Sequence, residues 1–96
     1  MEEKIKSIIK KIKKRDGRIV TFDPDKITAA IFKAAKAVGG ENWEKSVILT
    51  KIINAVMEER LGTHTVPTVE QTQDLVEEIL IKEGHDKTAK AYILYR

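Results

Sequence analysis

KKRDGRIVTFDPDKI, residues 13–27, is the stretch whose reading decides the fold. Three cations, Lys13, Lys14 and Arg15, stand before Asp16-Gly17. Asp-Gly is a strong hairpin signal, and a type I′ turn centred on it needs φ > 0 at both positions. Ile19, Val20, Thr21 and Phe22 follow, β-branched or aromatic residues suited to a strand. Asp23-Pro24 then opens a helix. The Asp23 carboxylate accepts free N–H groups as N-cap, and proline's fixed φ suits the first helical position. The stretch therefore predicts a hairpin feeding directly into a helix.

Working outward, Ile27, Ala30, Ile31, Ala34 and Val38 fall on one helical stripe, and Gly39-Gly40 ends it. A second helix begins near Asn42, with Trp43, Val47, Leu49, Ile52, Ile53 and Val56 on its apolar face and Gly62 as its stop. Thr63–Val66 reads as an extended link able to add a strand to the hairpin. Pro67-Thr68 starts a third helix, with Thr68 and Gln71 spaced as a capping box. Leu75, Val76, Ile79 and Leu80 form its inner face, and Gly84 ends it. A fourth helix runs from about Asp86 with Ala89, Tyr92 and Ile93 inward. Upstream, Ile5, Ile8, Ile9 and Ile12 have i, i+3, i+4, i+7 spacing, which predicts a short N-terminal helix. The fold class is α+β, mostly helical: a hairpin followed by four helices.

Composition bounds the function. The chain has 96 residues, one domain's worth, with 42% hydrophobic and 34% charged residues. No apolar run reaches the ~18–20 residues of a membrane span. The N-terminus lacks the apolar region of a signal peptide, so the cytoplasm is the expected location. The absence of cysteine excludes disulfides, thiol catalysis and zinc ribbons. His64 and His85 lie apart from any carboxylate cluster, so no metal site made of protein ligands is expected. No Ser/His/Asp set and no familiar phosphate-loop motif is present, which points away from an enzyme.

The net charge of +3 is unevenly placed. Residues 1–18 hold eight cations against three anions, and the remainder hold 10 cations against 12 anions. A local anionic partner fits that distribution better than a nucleic acid along the whole chain. A helix N-terminus carries free N–H groups and about half a positive charge. Lys14 and Arg15 from the hairpin and Lys26 from the first helical turn are thus candidates to surround a phosphate. The alternative for such a hairpin is a solvated edge, where lysine discourages aggregation.

Three blocks carry more specific information: KKRDGRIVTFDPDKITAAIFKAA, the Pro67-Thr68-Val69-Glu70 helix start with QDLVE at 73–77, and GHDKTAKAYILYR at the end. In order and separation they resemble the ATP-cone domain, the regulatory nucleotide-binding module of ribonucleotide reductases. The resemblance covers residues 12–96 and leaves residues 1–11 as a basic extension of helical spacing. It implies a four-helix bundle capped by a small sheet that includes the hairpin. It also implies binding of ATP or dATP as effector, with Mg²⁺ accompanying the triphosphate, and no catalysis. The expected partners are an adenine nucleotide and either a catalytic reductase domain or another copy of the chain; no membrane partner is expected. The runner-up readings are a nucleic-acid module using the basic segment and an assembly domain with a vestigial nucleotide site.

By this resemblance Lys14, Arg15 and Lys26 face the phosphates, with Lys87 and Lys90 of the last helix as further candidates. Ile12, Phe22 and Ile27 correspond to apolar positions around the base, and are core residues in any case. Asp23 is either the reader of the base or only the N-cap. Thr68 is a ligand neighbour or simply a cap. Thr72 stands one turn on, where some members carry a charged ligand that threonine cannot replace, and Gln73 is its neighbouring candidate.

Overall fold

The computed structural model describes residues 5–62 and 65–95. Strands β1 (Lys11–Lys13) and β2 (Ile19–Thr21) form an antiparallel hairpin. Helices α1 (Pro24–Ala37), α2 (Trp43–Leu61), α3 (Val69–Lys82) and α4 (Asp86–Tyr95) follow. They close a ring in which α1 packs on α2, α2 on α3, α3 on α4, and α4 on α1. The fold is the α+β class expected, four helices and one small sheet.

Each helix begins where its sequence offers a cap. Asp23 accepts the Asp25 N–H at 3.0 Å, with Pro24 at the first helical position. Asn42 accepts from the Lys45 N–H at 2.9 Å. Thr68 and Gln71 form the complete capping box: Thr68 Oγ1 accepts from Gln71 N–H at 3.0 Å, and Gln71 Oε1 accepts from Thr68 N–H at 2.9 Å. Thr68→Ala is expected to lower stability by about 1 kcal/mol, read from the denaturant midpoint. At the end of α3, Gly84 takes φ +85° and its N–H reaches Ile81 O, while His85 N–H reaches Leu80 O at 2.7 Å. That paired closure requires a residue at ease in the left-handed region.

The core is one cluster drawn from all four helices. Ile31, Ile53, Met57, Val76 and Leu80 are at most 1% exposed. Ile9 and Phe22 bring the N-terminal segment and the hairpin base into it. Between α1 and α2 the contact is made by small polar residues: Thr28 Oγ1 donates to Thr50 Oγ1 at 2.8 Å, and Thr50 in turn donates to Ser46 O at 2.9 Å. Every hydroxyl in that chain has a partner, so burial leaves none of their donors unmatched. The apolar faces hold with two exceptions. Val38 is 42% exposed because α1 ends there, and Ile93, expected inward, is 46% exposed.

Three local expectations are corrected. The chain from residue 5 to residue 10 is not helical. The Glu58 carboxylate takes the Ile8 N–H at 2.9 Å and the Ser7 hydroxyl at 3.2 Å, and Asn54 Nδ2 donates to Lys6 O at 3.3 Å. A helix here would also have stacked Lys6, Lys10 and Lys14 at i, i+4, a repulsive arrangement. Residues 1–4 of that expected helix lie outside the described residues. The hairpin turn is the second correction. Lys14 O accepts from Gly17 N–H at 2.9 Å, so Arg15 and Asp16 are central, and only Gly17 has positive φ, at +90°. Asp16 is held out of the left-handed region because its carboxylate accepts the Arg18 N–H at 3.0 Å and Arg18 Nε at 2.7 Å. The outcome is a turn followed by a one-glycine bulge. The expected link strand reduces to one parallel bridge, Lys13 with Thr68, sealed by Lys13 N–H to Pro67 O at 2.9 Å. Thr63 and His64 lie outside the described residues.

Candidate functional site

The hairpin tip is pinned on the start of α3. The Lys13–Thr68 bridge fixes β1 against the segment that enters α3. Arg15 then reaches the first turns of that helix. Its Nη2 donates to Gln73 Oε1 at 3.2 Å, and its Nε lies 3.6 Å from Glu70 Oε2. Glu70 and Gln73, three residues apart, share one helix face and grip the guanidinium between them. Lys14, Arg15, Asp16 and Val69 line an open groove of about 320 Å³. Two cations therefore stand at a helix N-terminus, but the helix is α3 and not the α1 that follows the hairpin in sequence.

The other candidates fall into separate places. Lys26 is exposed in the first turn of α1. Three strand rungs, at ~3.3 Å per residue, separate the start of α1 from the tip. Phe22 and Ile27 are 7% and 8% exposed, and Ile12 packs against the same cluster. All three are core residues at the base of the hairpin. Asp23 is exposed and serves as N-cap through one oxygen. Thr68 is the cap of α3. Thr72 is buried, donating to Thr68 O at 3.0 Å and lying 4.0 Å from Met57 Sδ. Lys87 and Lys90 are exposed on α4. Sequence reasoning missed Glu70 as the counter-charge of Arg15; its place three residues before Gln73 was the available signal.

The tip holds a short, exposed ion pair, Arg18 with Asp16 at 2.7 Å. The backbone and side chain of Arg18 hold the Asp16 carboxyl below its ordinary value of 3.8. A lowered carboxyl favours the folded tip at pH above that value, and the benefit disappears as pH falls through the lowered one. Acid titration is thus expected to free the Arg18 amide only below pH 3.8, observable by its NMR shift. Far from the tip, Arg60 pairs with Glu78 at 2.8 Å, and Arg60 lowers the Glu78 carboxyl in the same sense.

A second, larger concavity of about 990 Å³ lies between the N-terminal segment, α1 and α2. None of the candidate residues lines it. Its charged rim is balanced, with Lys6 and Lys51 facing Asp25 and Glu44, so it does not select an anion. The groove at the tip is the smaller of the two, but its charged lining is two cations against one carboxylate, and it opens on the N-terminus of α3.

Residues 10–96 match the ATP cone domain. The chain belongs to the ATP cone family. The cone is 40% identical over 94 residues to a vitamin B12-dependent ribonucleoside-diphosphate reductase of Thermoplasma acidophilum, which covers 93% of this chain and 12% of that protein. It is 41% identical over 91 residues to the ribonucleoside-diphosphate reductase subunit alpha of Chlamydia muridarum, covering 86% and 9%. An anaerobic ribonucleoside-triphosphate reductase of Salmonella typhimurium is 31% identical over 85 residues, covering 88% and 11%. The chain thus spans about a tenth of the length of these relatives. No helix among the described residues is long and apolar enough to cross a membrane.

Proposed function

We propose that this cone is a regulatory module that binds ATP or dATP and transmits its occupancy to a catalytic reductase domain in the cytoplasm, without catalysing a reaction itself. Residues 12–96 form the module, and residues 1–11 are its basic extension. The observation that carries the reading is the pinning of Lys14 and Arg15 onto the N-terminus of α3, within a family match of nearly the whole chain. Free N–H groups, a helix dipole and two cations converge there, and each favours a phosphate.

A nucleotide has its charge at one end and its base at the other, and the hairpin offers the same polarity. The phosphates lie at the tip with Lys14 and Arg15. The base and ribose lie toward Ile12, Phe22, Asp23 and Ile27, with Lys26 beside them at the α1 start, on the ribose side. Thr68, Thr72 and Gln73 form the α3 wall, where Thr68 and Thr72 shape the site through the backbone they hold. Lys87 and Lys90 contribute from α4. Glu70 releases Arg15 when a phosphate takes its place. Among the described residues no group of three or more metal-binding side chains is gathered. Mg²⁺ therefore arrives on the triphosphate, where it offsets repulsion from Asp16 and Glu70.

Thermal unfolding tests the reading. A ligand at 100 times its dissociation constant stabilises the folded state by about 2.7 kcal/mol. ATP or dATP is expected to raise the melting temperature by several degrees. An unchanged melting temperature at millimolar nucleotide would refute it.

A further inference from the structure

The hairpin has one covered edge and one open edge. Phe22 N–H donates to Lys10 O, and Lys14 N–H donates to Arg18 O. With Ile12 facing Val20, the hydrogen-bonded pairs are therefore Lys10 with Phe22, Ile12 with Val20, and Lys14 with Arg18. The backbone groups of the intervening residues point away from the pair. On β1 this is seen directly, since Lys13 N–H reaches out to Pro67 O. On β2 the same alternation turns the N–H and C=O of Ile19 and Thr21 outward. Among the described residues no strand, bridge or loop backbone meets them.

The side chains deepen the asymmetry. Lysine protects a sheet edge from further pairing. Here Lys11 and Lys13 sit on β1, whose far side is already engaged at Thr68. The open strand, Ile19-Val20-Thr21, carries no charge, and Ile19 is 57% exposed. The strand's two ends are oppositely charged: Arg18 before it and Asp23 just after it.

We infer that the β2 edge is a self-pairing surface, taking β2 of a second copy of this chain antiparallel to its own. With Val20 on the two-fold axis, Ile19 of each copy faces Thr21 of the other. Both residues have outward backbone groups, so the register makes four inter-chain hydrogen bonds. Each Arg18 then stands opposite Phe22 of the second copy, one residue from its Asp23. A parallel arrangement would instead bring like charges together. Four backbone hydrogen bonds, less the cost of association, support only a weak contact, with dissociation no tighter than about 1 mM. It acts where copies are already concentrated or held together. The inference does not depend on the nucleotide reading, since it rests on the open backbone edge and the charges at the strand's two ends.

The test is an NMR concentration series on the ligand-free chain, followed by Thr21→Pro. The Thr21 N–H takes no part in pairing with β1, so proline is compatible with the hairpin and removes one donor of each inter-chain pair. The expected result is that the Ile19 and Thr21 amides shift and gain exchange protection as concentration rises to about 1 mM, and that Thr21→Pro abolishes the concentration dependence of Ile19. Ile19→Lys, which keeps every backbone group, is expected to weaken the pairing at least fivefold. Ile19 and Thr21 amides that exchange freely at every concentration would overturn the inference and leave the edge to a strand of another protein or to solvent. A dimer that both variants retain would place the contact elsewhere.

Discussion

Replacing Lys14 and Arg15 together by alanine is expected to lower the affinity for ATP about a hundredfold. On the proposed reading each gives a charge-assisted hydrogen bond to phosphate, worth about 1.5–3 kcal/mol, and the pair supplies on the order of 3 kcal/mol after allowing for solvent exposure of both groups. Both side chains are exposed and outside the core, so the variant keeps its fold. Its loss is in binding, not in melting temperature without ligand. Calorimetry on the double variant checks this. A loss of less than threefold would make the tip a solvated edge, as lysine-rich hairpins often are.

The second large effect is on stability. Ile53→Ala is expected to cost about 2–5 kcal/mol, through lost burial and the cavity left behind. Ile53 is 0% exposed in the cluster shared by all four helices. A domain of this size has roughly 5–15 kcal/mol of stability in all, so the change removes a large part of it. Each kcal/mol shifts the melting temperature by about 4–8 °C at this length, which predicts a fall of about 8 °C or more. Ile93→Ala serves as the contrast. That side chain is 46% exposed, and its loss is expected to stay within about 0.5 kcal/mol. A similar small effect at Ile53 would contradict the packing described.

Much of this fold was legible because its signals are local. Asp23-Pro24, Asn42 and the Thr68/Gln71 pair each act within three residues, and each starts a helix as read. The stripes of α1 and α3 follow from period alone. What failed depended on side-chain contacts that these motifs do not encode. The turn type was decided by Arg18 holding the Asp16 carboxylate, and the N-terminal segment by Glu58 and Asn54, about fifty residues away. Asn54 inside the apolar stretch of α2 was the one visible sign that something polar would dock there. Ile93 turned outward because Ala89 and Tyr92 already fill the inner face of a ten-residue helix.

The candidate site divides in the same way. Lys14 and Arg15 were identified from their place beside the turn. Their partner helix was not, because no spacing rule says that β1 docks beside Pro67 and Thr68. The Arg15 contacts with Glu70 and Gln73 exist only after that docking. Lys26, adjacent in sequence, belongs to the opposite end of the hairpin.

The central claim is that the cationic tip and the start of α3 hold an adenine nucleotide. The most direct measurement is calorimetric titration of ATP and then dATP into the chain, with Mg²⁺ at near-physiological salt and a duplex oligonucleotide as control. The account predicts saturable, micromolar binding of at least one adenine nucleotide and no heat from the oligonucleotide. No binding of either nucleotide at millimolar concentration, or oligonucleotide binding that falls steeply with salt, would contradict it.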